Sequence, residues 1–190
     1  SPAQKDRYLP RLASGEIIGA YALTEPNAGS DAAAIITSAT LKDNKYILNG
    51  SKIFLTNGLV AGLIVVVART GSQSLGKGKN LSIFLVEPVR TDGVKRGLKE
   101  DKMGVRGAAI CEVSFDDTPV PAGQLLGVEN DGFSIAMDVL NSGRIGIAVQ
   151  SVGIGQACLD ASIKYARERV QFGKAIAEFH EHTGLMCHLD

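Results

Sequence analysis

The chain has 190 residues, 45% of them hydrophobic, and its 20 basic and 20 acidic side chains cancel to a formal net charge of zero. Such a length suits one large domain, or one domain with part of another, and the balanced charge argues against a nucleic-acid-binding protein. The longest apolar run, Leu63 to Ala68, is too short to span a bilayer. Three widely spaced cysteines favour a reducing compartment over a disulfide framework.

Up to about residue 130, short β-rich runs alternate with turn signals. The pattern of residues 5–14 is that of the end of a helix, terminated near Gly15. Turn-forming pairs at Asp43-Asn44 and Asn49-Gly50 are expected to separate strands. The absence of long helices between the strands favours an antiparallel barrel or sandwich over a parallel sheet. The predicted strands are 17–23, 34–41, 45–49, 52–56, 62–69, 81–87 and 109–115.

From residue 131 onwards the apolar residues recur at helical intervals. We predict one long helix from Asp131, a suitable N-cap, to about Arg169, then a break at residues 171–174 and a second helix near Ala177. One long helix cannot bury its own apolar face. We therefore expect either a fragment of a larger protein or an obligate oligomer.

The run from Ala22 to Asp31 combines two hydroxyls, Pro26 and Gly29 directly after a predicted strand. A turn of this composition can hold an anion, because successive backbone N–H groups point inward and small side chains allow close approach. Gly29 tolerates φ angles that other residues resist. An ordinary surface turn has the same composition, so both interpretations stay open.

A second candidate segment is Lys52 to Gly58, a strand that ends in a polar turn. Phe54 and Thr56 share one strand face, so both could touch one flat ligand; the alternative is a plain hairpin end. Arg144 follows Ser142 and Gly143, two small residues that leave room beside a cation. It could equally be an ordinary solvated arginine.

Two other patterns do not support a site. Residues 71–78 nearly match a phosphate-binding P-loop, but Gly78 stands where Ser or Thr should hold Mg²⁺, and a strand follows instead of a helix. Near the C-terminus, His180, His182 and Cys187 do not project to a common point at helical spacing. The sequence therefore predicts no metal site.

Together these segments resemble the acyl-CoA dehydrogenase family, its short-chain, butyryl-CoA-type members in particular. The resemblance is carried by residues 22–31, 52–58, 102–107, Arg144 and 169–176. It implies the tail of an N-terminal helical domain at 1–16, a β-domain that binds flavin and acyl-CoA at 17–130, and the truncated start of a C-terminal helical domain at 131–190. The implied fold class is α+β, with an antiparallel barrel or sandwich followed by the first long helix of an incomplete bundle.

The resemblance also implies FAD as the cofactor. Leu23 and Thr24 would contact the pyrimidine edge of the isoalloxazine ring and Ser30 the pyrophosphate. Phe54 would pack on the ring and Thr56 would hydrogen-bond near N5. Arg169 and Phe172 would reach the FAD of a neighbouring subunit. The cofactor-binding residues implied are Tyr21, Leu23, Thr24, Gly29, Ser30, Phe54, Leu55, Thr56, Arg169 and Phe172.

For the substrate, the resemblance implies acyl-CoA thioesters, contacted by Ser30, Asn141 and Arg144, and α,β-dehydrogenation with electron-transferring flavoprotein as acceptor. The catalytic base is expected outside this chain, since Gly143 occupies the position at which a minority of members carry it, and Glu25 is expected to be structural. A homo-oligomer built as a dimer of dimers, in bacterial cytoplasm or mitochondrial matrix, is implied. The alternatives are an oxidase-type relative that uses O₂ and a non-catalytic β-module that binds a ligand or partner.

Overall fold

A computed structural model describes residues 1–71 and 78–179 of the chain. Helix α1 spans Pro2–Ala13 and is capped by Ser1, whose hydroxyl accepts a hydrogen bond from the Gln4 N–H. Gly15, with φ of 76°, follows the helix end, which confirms the predicted stop. The chain divides into two compact units, residues 1–137 and 138–190. The finer domain boundaries at 16/17 and 130/131 stay predictions.

The first unit is built on one mostly antiparallel sheet, which confirms the expected α+β class. In the described residues the sheet order is β6-β7-β3-β2-β4-β5-β8, with β1 joined in parallel to β4. This sheet does not close into a barrel within the described part of the chain. Its strands are β1 Gly19–Ala22, β2 Ser38–Lys42, β3 Lys45–Thr56, β4 Leu63–Arg69, β5 Leu81–Val86, β6 Val94–Lys99, β7 Ile110–Pro121 and β8 Leu125–Leu126.

Of the two predicted turns in this region, one is confirmed and one is wrong. Asp43 and Asn44 have φ of 47° and 60° and link β2 to β3 as a two-residue hairpin turn. At Asn49-Gly50, by contrast, β3 runs on without turning, and the register with β7 shifts between Leu48 and Gly50. Gly50 has φ of 144° and lies against Thr37, and the register shift here is a β-bulge whose extra residue lies in β7, where Asp117 has φ of 44°.

Strand β6 was not predicted from the sequence, because it lies at the sheet edge with mostly exposed, polar residues and shows no apolar alternation. Strand β7 continues to Pro121, beyond the predicted end at residue 115. Its C-terminal part pairs with β3 alone, so Pro119 and Pro121 interrupt no second ladder.

Both faces of the sheet are covered by apolar side chains. On one face, Leu48, Leu55, Val66, Phe84 and Val113 belong to one buried cluster. On the other face, Tyr8 of α1 packs with Leu63 and Leu85. The strands next to the segment at residues 22–31 are therefore fixed by hydrophobic packing on both faces of the sheet.

Helix α2, Gly132–Glu168, confirms the predicted long helix. After it comes a short hairpin, β9 Val170–Gln171 and β10 Lys174–Ala175, with Phe172 and Gly173 at positive φ in its turn. Residues Ile176–Glu178, where the second helix is predicted to begin, form a single 3₁₀ turn. Positions after 179 lie outside the described residues, so the second helix stays a prediction. No helix in the described ranges has the length and apolar character required to cross a membrane.

Candidate functional site

The segment that follows β1 forms a tight turn, as the sequence predicts. The Glu25 N–H donates to the Ala28 carbonyl at 3.0 Å, and the Ala28 N–H returns a bond of 3.1 Å to the Glu25 carbonyl. Pro26 and Asn27 occupy the two central positions of this β-turn, where the fixed φ of proline is favourable. Ala28 is buried, whereas Gly29 and Ser30 are exposed just beyond it.

Beneath this turn lies a buried ion pair. Lys52, on β3, is completely buried, and its Nζ lies 2.8 Å from Glu25 Oε1 and 3.0 Å from the Leu23 carbonyl oxygen. The Glu25 carboxylate also accepts hydrogen bonds from the N–H groups of Ile36 (2.7 Å) and Thr37 (2.9 Å). These contacts join the turn to two other parts of the β-domain, strand β3 and the segment at residues 36–37. Glu25 thus has the structural role expected from the sequence.

The two charges shift each other's proton affinity. Burial alone would raise the pKa of Glu25, but the Lys52 charge and the hydrogen bonds it accepts outweigh burial and hold that pKa below its ordinary value. Burial lowers the pKa of Lys52 to about 8, although Glu25 acts in the opposite direction. At neutral pH both groups are therefore mainly ionised.

The turn is joined directly to the end of β3. The Ile53 N–H donates to the Thr24 carbonyl at 2.9 Å. Immediately afterwards the register with β7 shifts between Lys52 and Leu55, and Phe54 adopts φ of 58°. A positive φ is unfavourable for an aromatic residue, and such strain is concentrated at functional sites.

The bulge sets the exposure of the residues at the end of β3. Phe54 is 63% exposed and Thr56 is exposed, while Leu55 between them is buried in the core. An aromatic face and a hydroxyl are thus available to a ligand at the strand that carries Lys52. The predicted role of Leu55 rests on its backbone, because its side chain is enclosed.

Several polar groups around the turn have no partner in the described residues. They are the N–H groups of Thr24, Gly29 and Ser30 and the buried hydroxyl of Tyr21, whose pKa burial raises to about 12. A Cβ built on Gly29 would meet nothing within 4 Å, and the φ of this residue is not positive. The structure therefore does not use the conformational freedom of Gly29 for a positive φ. Gly29 instead leaves open space beside the unpaired backbone N–H groups of the turn.

In the second unit, the structure brings two of the predicted substrate residues together. Arg144 donates to the Asn141 side-chain oxygen at 2.8 Å on the exposed surface of α2, and a Cβ on Gly143 between them would meet open space. Arg169 directly follows α2 and is exposed. Phe172, at the tip of the β9–β10 hairpin, is 95% exposed and packs edge-on near Phe179.

Lys52 was not predicted from the sequence to take part in the site. Alternation along β3 could have revealed it, since Tyr46, Leu48 and Lys52 are all buried at even-numbered positions. A lysine that continues an inward-facing series requires a buried partner, and Glu25 is that partner.

In the described ranges no cluster of side chains suits a metal ion. The residues His180, His182, Cys187 and His188 lie outside these ranges, and so do residues 72–77 of the P-loop-like segment.

The amino-acid sequence of this chain is similar to those of known acyl-CoA dehydrogenases. Residues 20–118 match the acyl-CoA dehydrogenase middle domain, and residues 130–187 match the acyl-CoA dehydrogenase C-terminal domain. An acyl-CoA dehydrogenase of Bacillus subtilis is 50% identical over 92% of this chain and 45% of its own length. The NADH-dependent acryloyl-CoA reductase of Anaerotignum propionicum is 48% identical over 92% of this chain and 44% of its own length.

Among solved structures, butyryl-CoA dehydrogenase of Megasphaera elsdenii matches with a TM-score of 0.91 at 42% identity, covering 100% of this chain and 49% of the other. The chain thus spans about half the length of the relatives it matches. The match to the family's middle domain covers the turn at residues 22–31 and the bulged end of β3, while the match to its C-terminal domain covers all of α2. The chain belongs to the acyl-CoA dehydrogenase family.

Proposed function

We propose that this chain is the flavin-binding and acyl-CoA-binding part of an FAD-dependent enzyme that dehydrogenates acyl-CoA thioesters between the α and β carbons. The observation that carries the proposal is the joining of the turn at residues 23–30 to the end of β3. The hydrogen bond from Ile53 to Thr24 and the contacts of Lys52 hold these two segments side by side. Family membership supplies the chemical context.

The residues present fit a flavin. A flat ring with a polar edge requires an apolar surface on its face and hydrogen-bond donors at its rim. Exposed Phe54 offers the surface, and the unpaired N–H group of Thr24 offers a donor. The unpaired N–H groups of Gly29 and Ser30 suit the pyrophosphate, because they adjoin open space.

When bound, FAD would supply the acceptor for the hydride that leaves the β carbon. The residues of this chain would bind and orient that ring: Leu23 and Thr24 at its pyrimidine edge, Phe54 on its face and Thr56 near N5. We propose that Tyr21, Gly29, Ser30 and Leu55 complete the binding surface, and that Arg169 and Phe172 contact the FAD of a neighbouring subunit. Proton removal from the α carbon is assigned to a carboxylate outside this chain.

For the substrate, we propose acyl-CoA thioesters, with Asn141 and Arg144 at the pantetheine or CoA portion and Ser30 lining the substrate channel. The pairing of Arg144 with Asn141 supports this, because it fixes a cation whose remaining donors face solvent. We also propose that electron-transferring flavoprotein is the electron acceptor and that the protein assembles as a dimer of dimers. Its proposed location is the bacterial cytoplasm or the mitochondrial matrix.

A flavin experiment tests this function. The protein, at the length its gene encodes, is expected to carry FAD, and the visible flavin band should bleach anaerobically on addition of butyryl-CoA or isovaleryl-CoA. Slow return of the band in air, with fast return on adding electron-transferring flavoprotein, is expected of a dehydrogenase. Fast return in air alone would indicate an oxidase, and bound FAD that no thioester reduces would contradict catalysis.

A matched pair of variants locates the FAD in the same experiment. Thr56→Val removes the exposed hydroxyl proposed to lie near N5 and should weaken FAD binding about fivefold to tenfold, the equivalent of one hydrogen bond of about 1 kcal/mol. Thr40→Val makes the same chemical change on exposed β2 and should leave FAD affinity unchanged. Equal affinities for the two variants would contradict the placement of FAD at the Thr56 end of β3.

A further inference from the structure

The ammonium of Lys52 has two acceptors, and only one of them is its ion-pair partner. Besides Glu25 it donates to the Leu23 carbonyl at 3.0 Å. A buried lysine needs a carboxylate to offset its desolvation, but it does not need this particular carbonyl. The second bond therefore invites a separate explanation.

The Leu23 carbonyl belongs to the same peptide group as the Thr24 N–H. No cis peptide bond occurs in the described residues, so this C=O and this N–H point in opposite directions. Lys52 lies on the carbonyl side, which leaves the N–H directed away from the core. The following peptide is fixed as well, because the Thr24 carbonyl accepts from Ile53 at 2.9 Å.

A charged donor does more to a carbonyl than a neutral one. Charge-assisted hydrogen bonds are shorter and stronger, and inside a protein hydrogen bonds in a chain polarise one another. Pulling electron density toward the Leu23 oxygen makes the Thr24 N–H on the far side a better donor. At neutral pH Lys52 is mostly protonated, because its pKa is about 8.

We propose that Lys52 is a positioning residue that acts through the Leu23 carbonyl, orienting and polarising the Thr24 N–H toward the electron-rich edge of the bound flavin. The inference rests on the proposed function, in which Thr24 borders the pyrimidine edge of the ring. Reduction adds electron density at that edge, so a stronger donor there favours the reduced flavin over the oxidised one. Lys52 thereby raises the reduction potential of the flavin without touching it.

The double variant Glu25→Gln/Lys52→Met tests this without changing the net charge of the pair. A neutral pair of similar volume is tolerated in many buried sites, so we expect a folded protein. The preference for reduced over oxidised flavin should fall about tenfold, which corresponds to a midpoint potential about 30 mV lower. Spectroelectrochemical titration of the FAD-loaded protein measures it.

Val113→Ala is the matched control. Val113 is buried and pairs with Lys52 across β3 and β7, so its truncation loosens the same strands without altering a charge or a hydrogen bond. It should lower stability and leave the potential of the flavin unchanged. The inference is overturned if the double variant keeps the wild-type flavin potential, or if Val113→Ala shifts that potential by the same amount. Either result would mean that Lys52 has only a structural role.

Two further measurements separate this inference from the proposed function. If the first double variant does not fold, Glu25→Gln/Lys52→Gln, which keeps a neutral donor, should give a smaller shift in the same direction, and no shift would overturn the inference. In the FAD-free protein, the Thr24 amide resonance should move in either double variant but not in Val113→Ala. A wild-type protein that binds no FAD refutes the proposed function, whereas a Thr24 resonance indifferent to Lys52 refutes the inference alone.

Discussion

Glu25 and Lys52 illustrate how single residues set the geometry of this domain. Both are almost completely buried, and both are bonded to backbone groups of the segments they join. Burying a charge is costly unless the charge is paired and hydrogen-bonded, and here each condition is met. Loss of one partner leaves the other charge in the core, and this makes the pair sensitive to substitution.

We expect Glu25→Gln alone to lower the free energy of unfolding by about 3–5 kcal/mol, because it strands the Lys52 ammonium. Glu25→Gln/Lys52→Met should recover much of that loss. Urea unfolding of both variants and wild type measures the difference. A double variant less stable than Glu25→Gln would show that the pair is not coupled as described.

The same pair gives a stability change in acid. The pKa of Glu25 is below its ordinary value of 4.5 in the folded protein, so its contribution is complete above that value and is lost as pH falls through the folded pKa. Lys52, with a pKa of about 8, stays protonated throughout this range. Thermal unfolding between pH 6 and pH 3 should show a steeper loss for wild type than for Glu25→Gln, and parallel curves would exclude the effect.

At the scale of the secondary-structure element, two β-bulges in the β3–β7 pair shape the proposed site; the extra residue lies in β7 at the first bulge and in β3 at the second. One register shift adjoins Gly50 and the other adjoins Phe54. A Cβ at Gly50 would lie 2.7 Å from the Thr37 Cα, whereas a Cβ at Gly29 meets no atom within 4 Å. Gly50 is therefore required because a side chain there would collide with Thr37, whereas Gly29 leaves open space at the surface.

Gly50→Ala should therefore destabilise the protein by roughly 1–3 kcal/mol, through strain at a positive φ and contact with Thr37. Gly29→Ala should change stability by less than about 0.5 kcal/mol, yet weaken FAD binding if a phosphate lies against it. Chemical unfolding and FAD titration of the two variants test the contrast. Equal destabilisation by both would refute the assignment of Gly29 to a ligand-facing surface.

A secondary-structure element could be predicted from the sequence when its own residues mark it, and not when it depends on contacts with another segment. The Asp43-Asn44 turn and helix α2 carry their own signals, and both were predicted. Gly50 depends on Thr37 of another segment, and edge strand β6 has few buried residues to reveal it. Within the site, motif positions such as Thr24 and Phe54 were recognised by resemblance, while the bond between their segments is a tertiary contact that no local pattern encodes.

For the molecule as a whole, helix α2 exposes apolar side chains on more than one side. In the described structure Ile145, Ile147, Val149, Val152 and Ile154 are each more than half exposed. A helix that is apolar all round is normally buried in a larger protein. The relatives are about twice as long as this chain, and that agrees with a need for further helices around α2.

Ile147→Asp should accordingly lower the Tm of the protein at the length its gene encodes by several degrees, because the residue is expected to be buried against partner helices. Gln150→Asp places the same residue on the same helix at a polar position, and so controls for helix propensity. Calorimetry with sedimentation velocity measures both effects. Equal behaviour of the two variants would indicate that this face of α2 stays in solvent.

The turn at residues 23–30 and the bulged end of β3 are proposed to hold a flavin between them. The most direct measurement is a crystal structure of the protein grown with FAD. We expect the isoalloxazine ring to lie against Phe54, with its pyrimidine edge at the Thr24 N–H and the pyrophosphate of FAD beside Gly29 and Ser30. A flavin bound elsewhere on the protein, with Thr24 and Phe54 both in contact with solvent, would contradict it.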